Sequence, residues 1–372
     1  MRFLFACGGT AGHINPALSI ASELKGRIPD AQIRFAGNPA GMEARLVAKA
    51  GFDFVPFRAM GMQRKLTLQN VGRNIQSARL LLTAQLRAAR IIRDFAPDIV
   101  IGTGGYVSGP VLMTAAKMGI STVTHEQNAF PGITTKLLAP RVDKVLLAVE
   151  KAADYLPKGI SYTVTGNPVR PEILSQDRET ARRRCGVKPG QLCLLSFGGS
   201  LGAQRINESI ADVMAWHCGS GAIHHIHATG QYGVELLPAL LDKKKVPYRD
   251  CAELDIREYI DDMPVCLAAA DLVIARSGAI TLSELEAVGR ASILIPSPNV
   301  AENHQYHNAM VLAGAQAAVV IEERELTGER LTEEVRRLCA DPAKLRSLGR
   351  NAEALGRPDA GARIADAILS LL

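Results

Sequence analysis

Aromatic side chains are scarce in this chain: one tryptophan, seven tyrosines and nine phenylalanines in 372 residues. No basic stretch is interleaved with stacking rings, which removes the usual platform for nucleic acid. No apolar run reaches the length of a transmembrane helix. Glycines follow the opening Met1–Ala6 run too soon for a signal-peptide core. The seven cysteines never fall as C-x-x-C, and several sit in apolar runs as buried thiols do. That argues for a reducing cytoplasm and against a disulfide framework or a zinc site. No Gly-Lys-Ser/Thr follows a glycine turn, so there is no Walker A loop, and Gly8, Gly9 and Gly12 lack the G-x-G-x-x-G spacing. A kinase and an ordinary dehydrogenase both lose ground. D-x-D is absent as well, so metal-assisted departure of a nucleotide lacks its usual ligands. Neither a metal site nor a cofactor is expected.

What is present is ordinary globular material, 47% hydrophobic and 22% charged, in a chain long enough for two domains. The formal net charge of +6 suits phosphate-bearing substrates or anionic lipid better than nucleic acid, given the missing aromatics. Strand-like runs alternate with helical patterns. One series covers residues 2–6, 32–36, 98–101, 122–125, 144–148 and 162–165; a second covers 191–197, 223–228, 272–275, 292–295 and 318–321. Two such series predict two parallel, doubly wound α/β sheets. The break falls at the Gly/Pro-containing segment 165–171, giving domains 1–165 and 166–356 with a tail from Arg357 to Leu372.

Four loops share one order of parts: apolar strand, glycine-rich turn, helix. They are Cys7–Pro16, Ile101–Pro110, Phe197–Gln204 and Ala275–Thr281. Such turns let backbone N–H groups approach an anion at a helix N-terminus. In the first, Asn15 reads as an N-cap and Pro16 as the first helical residue, which leaves His13 in a loop. Polar clusters follow two strands, at Thr124–Asn128 and Ala301–Asn308; each fits either a ligand contact or a solvated loop. His224, His225 and His227 lie on one strand but lack a partner at metal-ligand spacing, so a part-exposed strand is expected there. Leu68–Phe95 is a long basic, apolar-edged helical pattern. It fits a membrane-resting surface or a core-packed helix with solvated arginines.

Together these residues resemble the MurG family of bacterial peptidoglycan glycosyltransferases over nearly the whole chain. The marks are Gly8–His13, Gly104–Pro110, His125–Asn128, Gly166–Arg170, Gly198–Ala203, Arg276–Glu284 and His304–Tyr306. Ala11 departs from the pattern, where the family often has a third glycine. The resemblance implies the GT-B architecture: two Rossmann-like doubly wound parallel-sheet domains facing across a cleft, with the last helix packed back on the first. It implies an inverting transfer of N-acetylglucosamine (GlcNAc) from UDP-GlcNAc to the C4 hydroxyl of the muramyl sugar of undecaprenyl-linked lipid I, giving lipid II. The N-terminal domain would hold the acceptor and the C-terminal domain the donor.

Residue by residue, the resemblance and the chemistry imply the following. One base suffices for the attacking hydroxyl. His13 is the candidate, because imidazole titrates near neutrality; Glu126 is the competing base or orienting group. The acceptor diphosphate would lie on Gly9, Thr10, Ala11, Gly12, Gly104, Gly105, Tyr106 and Ser108. The donor diphosphate would meet Ser200 and Arg170, the uracil Ile260, and the ribose Glu284. The sugar would meet Asn128, Ala279, Ile280, Thr281, His304 and Gln305, with Gly278, Leu282 and Ser283 as further substrate-binding residues. The enzyme would sit peripherally on the cytoplasmic face of the cell membrane, on an anionic inner-leaflet surface beside other cell-wall synthesis proteins, and the lipid substrate favours Leu68–Phe95 as the membrane-facing surface. Rival readings are another GT-B enzyme, either a glycolipid glycosyltransferase or a UDP-GlcNAc 2-epimerase, and a non-catalytic UDP-sugar sensor.

Overall fold

Strands that are apolar along their whole length must be covered on both faces, which is the habit of parallel sheets. In the computed structural model, which describes residues 1–59 and 83–372, Phe3, Leu4, Phe5 and Ala6 are all fully buried. The chain divides into two units, Met1–Pro168 with Asp359–Leu372, and Val169–Pro358.

The first unit holds β1 (Arg2–Ala6), β2 (Gln32–Gly37), β3 (Asp53–Pro56), β4 (Ile99–Gly102), β5 (Ser121–Glu126), β6 (Lys144–Leu147) and β7 (Tyr162–Val164). They form one parallel sheet in the order β3-β2-β1-β4-β5-β6-β7. The second unit holds β8 (Leu192–Phe197), β9 (Ile223–Ala228), β10 (Leu254–Arg257), β11 (Leu272–Ala275), β12 (Ala291–Leu294) and β13 (Val319–Val320). Their order is β10-β9-β8-β11-β12-β13, again all parallel. Each unit therefore repeats the Rossmann order, three strands out one way and then a reversal. The reversal lies between β1 and β4 in one unit and between β8 and β11 in the other. Open α/β sheets bind ligands outside the carboxyl ends of the strands at that point.

β3 and β10 are the strands that apolar runs do not announce. Both are edge strands, β3 ending in Pro56 and β10 carrying Asp255 and Arg257. Edge strands tolerate proline and favour charge, so their sequences lose the apolar signature.

The last helix, Ala360–Leu369, belongs to the first unit and lies against the helix Ala11–Arg27. Ile364, Ala365 and Ile368 are fully buried in the same core as Ile20 and Leu24. Arg27 Nη1 donates to Asp366 at 2.5 Å, and Lys144 Nζ to the Ala367 carbonyl at 3.1 Å. Of the helical pattern over Leu68–Phe95, residues 68–82 lie outside the described residues. Residues 83–95 are helical, with Ala84, Ala88, Ile92 and Phe95 buried in the core and Arg90 and Arg93 outward. This part is a core-packed helix: Arg90 and Arg93 face solvent, while half-buried Arg87 lies over the Phe57 ring and donates to the Arg58 carbonyl at 2.9 Å.

Candidate functional site

In the first unit, the loops after β1 and β4 meet at the reversal and are locked together. Gly104 and Gly105 take φ of +105° and +81°, the left-handed region that suits glycine. A Cβ on Gly105 would lie 2.1 Å from the Gly8 carbonyl oxygen, and one on Gly104 2.7 Å from His13 Nδ1. The Thr103 hydroxyl donates to the His13 carbonyl at 2.7 Å.

The helix begins earlier than Pro16. Thr10 is its N-cap, and its carbonyl accepts from His13 N at 3.1 Å and Ile14 N at 3.2 Å. His13 therefore sits in the first turn of the helix Ala11–Arg27, not in a loop, and Asn15 caps nothing. Pro16 is inside the helix, and because proline has no N–H the carbonyl four residues back, on Gly12, loses its usual donor. Pro110 has the same place in the helix Gly105–Lys117. Each proline lies in the second turn of its helix, where the ladder gives up one hydrogen bond.

The cluster at the end of β5 is not a solvated loop. His125, Glu126 and Gln127 are 1%, 3% and 2% exposed. His125 Nε2 lies 3.0 Å from the Gly166 carbonyl, which can only accept, so Nε2 carries the proton. His125 Nδ1 then accepts from Gln127 Nε2 at 3.1 Å, and the same amide nitrogen donates to the His125 carbonyl at 2.9 Å. Gln127 Oε1 therefore points to His13 Nδ1, 3.1 Å away, and accepts its proton. Network logic of this kind is how tautomers are assigned. It leaves His13 Nε2 as a bare lone pair on a half-buried ring. Burial lowers the pKa of His125, which keeps that ring neutral in the relay.

Glu126 has a different task. Its Oε1 accepts from Asn128 N and Asn128 Nδ2, both at 3.0 Å; its Oε2 accepts from Gly132 N at 3.0 Å and the Thr135 hydroxyl at 2.5 Å. Four donors occupy a buried carboxylate, so it organises the loop that carries Asn128. The Ser108 hydroxyl is fully buried and spent on the Ala6 carbonyl at 2.5 Å and on Gly104. It staples the end of β1 to the turn after β4, and its buried oxygen is turned away from any ligand.

Glu43 is a residue the sequence did not single out. It is 1% exposed, and its carboxylate accepts from Asn38 N at 3.0 Å and Gly9 N at 3.5 Å. Tyr106 reaches it too, at 3.4 Å, and burial together with Glu43 pushes the phenol pKa up. The Gly9 amide thus points inward, to the Glu43 carboxylate. Thr10, Ala11 and Gly12 are exposed at the helix start.

In the second unit, the loop Gly198–Ala203 follows β8 and opens the helix Gln204–His217, with Ser200 exposed. Arg276 follows β11 and donates to the Ile295 carbonyl at 3.1 Å while pairing with Glu323. Between them lies a cavity of about 410 Å³, lined by Gly198, Gly202, Arg276, Ser297, Gln305 and Glu323 among others. Gln305 is held there by its Oε1, which accepts from Ser297 N at 2.9 Å. Arg276 lies inside the marked loop, but only the fold shows its side chain turned to the cavity.

Gly278 caps the helix Ala279–Ala287, so Ala279, Ile280 and Thr281 present first-turn amides. Glu284, one turn on, is 7% exposed and accepts from Arg170 Nε at 3.0 Å. Burial pushes its carboxyl pKa up while Arg170 pulls it back. The Leu282 side chain packs into the core, as does that of Ile260, so any contact they make with a ligand comes from the backbone. His304 Nδ1 donates to the Ala301 carbonyl at 2.8 Å. Ser283 shares the helix with Glu284. Among the described residues, no group of three or more His, Cys, Asp or Glu could hold a metal ion. His224, His225 and His227 are buried, not part-exposed, because β9 is covered on both faces.

Residues 3–147 match the glycosyltransferase family 28 N-terminal domain and residues 193–364 its C-terminal domain. The chain is 42% identical over 372 residues to the UDP-N-acetylglucosamine–N-acetylmuramyl-(pentapeptide) pyrophosphoryl-undecaprenol N-acetylglucosamine transferase of Acetivibrio thermocellus, covering 100% of this chain and 98% of that one. To the enzyme of the same name from Desulforamulus reducens it is 42% identical over 360 residues, covering 97% and 96%. The crystal structure of Acinetobacter baumannii MurG superposes with a TM-score of 0.77 at 28% identity, covering 99% of each chain.

Proposed function

The chain belongs to glycosyltransferase family 28, and on that premise we propose that it transfers GlcNAc from UDP-GlcNAc to the C4 hydroxyl of the muramyl sugar in undecaprenyl-linked lipid I. It is a GT-B glycosyltransferase, and the product of this transfer is lipid II.

The observation that carries the chemistry is the relay from the Gly166 carbonyl through His125 and Gln127 to His13. It holds the His13 proton on Nδ1 and offers Nε2 as a base. The acceptor hydroxyl gives its proton to that nitrogen as its oxygen attacks C1 of GlcNAc. The C1–O bond to UDP breaks in the same displacement and inverts the anomeric carbon. Glu126 holds the Asn128 loop and leaves the proton to His13. The acceptor diphosphate lies against the helix start at Thr10–Gly12 and the turn at Gly104–Tyr106.

The donor diphosphate lies on the Ser200 loop, where the helix N-terminus and Arg170 offset the charge that grows on UDP. Arg276 lines the same cavity and adds to that positive field. The Ala279–Thr281 amides and Gln305 meet the sugar, Glu284 the ribose hydroxyls, and the Ile260 backbone the uracil. The acceptor's lipid tail calls for a membrane surface. Ile133 and Leu137, each 54% exposed and one turn apart, stand beside Lys136 and suit an anionic leaflet. Peripheral attachment fits the described residues, none of whose helices is long and apolar enough to cross a bilayer.

Incubation with UDP-GlcNAc and a short-chain lipid I analogue tests the reading. The expected product carries a β-linked GlcNAc, and UDP-GlcNAc alone stays unchanged. Epimerised sugar without acceptor would replace this reading with the 2-epimerase one. Binding of UDP-GlcNAc with no product from either incubation would favour a sensor.

A further inference from the structure

A line of polar side chains runs between the β8–β9 surface and the helix Gln204–His217, inside an otherwise apolar core. His217 Nε2 meets His225 Nδ1 at 3.0 Å. His225 Nε2 meets the Ser196 hydroxyl at 2.7 Å, and that hydroxyl meets His227 Nδ1 at 2.7 Å. His227 Nε2 meets Asn207 Oδ1 at 3.0 Å, and Asn207 Nδ2 donates to the Thr229 carbonyl at 2.9 Å. All five side chains are 0–1% exposed. Buried polar atoms of this kind are costly unless each is paired.

The end of the line sets its direction. A carbonyl only accepts, so the Asn207 NH2 faces Thr229 and its Oδ1 faces His227. His227 must then carry its proton on Nε2 and accept at Nδ1 from the Ser196 O–H. The Ser196 oxygen accepts from His225 Nε2–H, and His225 Nδ1 accepts from His217 Nε2–H. One arrangement satisfies every bond along the line; in it His225 and His227 are neutral because each accepts at Nδ1, and burial keeps His217, whose Nδ1 stands outside the line, neutral as well. Few charges face the line: Glu253 acts on His217, and His224 on His225.

The output end abuts the loop that bears Ser200. The Thr229 carbonyl leads into Gly230, at φ +65°, and a Cβ there would sit 2.1 Å from Gly202 N. A Cβ on Gly202 would sit 2.3 Å from the Thr229 oxygen, and one on Gly233 2.1 Å from Asn207 Nδ2. Tyr232 N donates to the Leu201 carbonyl at 3.1 Å, tying the two turns together. Asn207 is thus wedged beneath the turn that grips the Gly198–Ala203 loop.

We propose that Asn207, oriented by the His217–His225–Ser196–His227 relay, is a positioning residue that fixes the Gly198–Ala203 loop and, through it, the sugar-nucleotide diphosphate. This rests on the donor site assigned above. Asn207→Asp keeps the size but sets an acceptor against the Thr229 carbonyl and draws a proton onto His227. Loss of one such bond corresponds to about a tenfold change in binding.

Three readouts follow. The KM for UDP-GlcNAc should rise about tenfold while the acceptor KM holds. Amide exchange at Gly199–Gly202 should quicken without UDP present. Histidine ¹⁵N spectra of the wild type should show His217, His225 and His227 as neutral Nε2–H tautomers at pH 6, with His227 cationic in the variant. Should Asn207→Asp fail to fold, Ser196→Ala cuts the relay in its middle and should move KM and exchange in the same direction. Folded variants with wild-type KM and wild-type loop exchange would overturn the proposal, as would an Nδ1–H tautomer at His227. Wild-type protein that binds no UDP would instead refute the donor site, while faster loop exchange in Asn207→Asp would still uphold the hold of Asn207 on the loop.

Discussion

Replacing Gln127 with glutamate would remove the NH2 that joins the His13 side of the relay to His125 and put a carboxylate beside His13 Nδ1. A neighbouring carboxylate favours the imidazolium, so His13 would stay protonated to higher pH. The acid limb of the pH–rate profile should therefore move to higher pH in Gln127→Glu, and the same limb should stay in place in Gln127→Met even as the rate falls. The sequence put His125, Glu126, Gln127 and Asn128 at a strand's carboxyl end, but it could not tell which of them face inward. That depends on Gly166, forty residues on, supplying the carbonyl that orients the first ring. Glu43 was illegible for a similar reason: nothing in its own helix marks it as the residue beneath Gly8, Gly9 and Gly41. Ser108 and Leu282 show the reverse case, where a motif residue serves the scaffold.

Ile364→Ala would leave a cavity against Ile20 and Leu24, at a cost of about 2–5 kcal/mol, readable as a lower urea midpoint for the first unit. β9 and the helix Gln204–His217 carry buried histidines whose pKa values fall from the usual 6.5, to about 4 for His217 and about 3 for His227, chiefly through desolvation. The unfolded chain binds protons there before the folded one does. The resulting stability is full above pH 6.5 and is lost as pH falls toward 4. Urea unfolding of the second unit should shift to lower concentrations between pH 7 and pH 5, and less so in Ser196→Ala, whose relay is already broken. Central strands were legible because they are apolar throughout. β3 and β10 were not, because edge strands carry proline and charge. The start of the first helix was misplaced because Pro16 usually opens a helix, whereas here Thr10 caps it and the proline falls inside.

Across the whole chain, one strand order appears twice, and each copy sets glycine loops at its own sheet reversal. The composition and the alternation of runs announced this much. What they could not assign was the work of each copy. UDP should slow amide exchange at Gly198–Ala203 and Gly278–Glu284 and leave Gly8–Gly12 unchanged; protection confined to the first unit would reverse the assignment of donor and acceptor. The account turns on His13 as the base. Single-turnover transfer of labelled GlcNAc to a short-chain lipid I analogue, comparing wild type with His13→Ala at saturating donor, tests it most directly. The expected loss is on the order of 10²- to 10⁴-fold, with the Kd for UDP unchanged. Transfer by His13→Ala at the wild-type rate would contradict it.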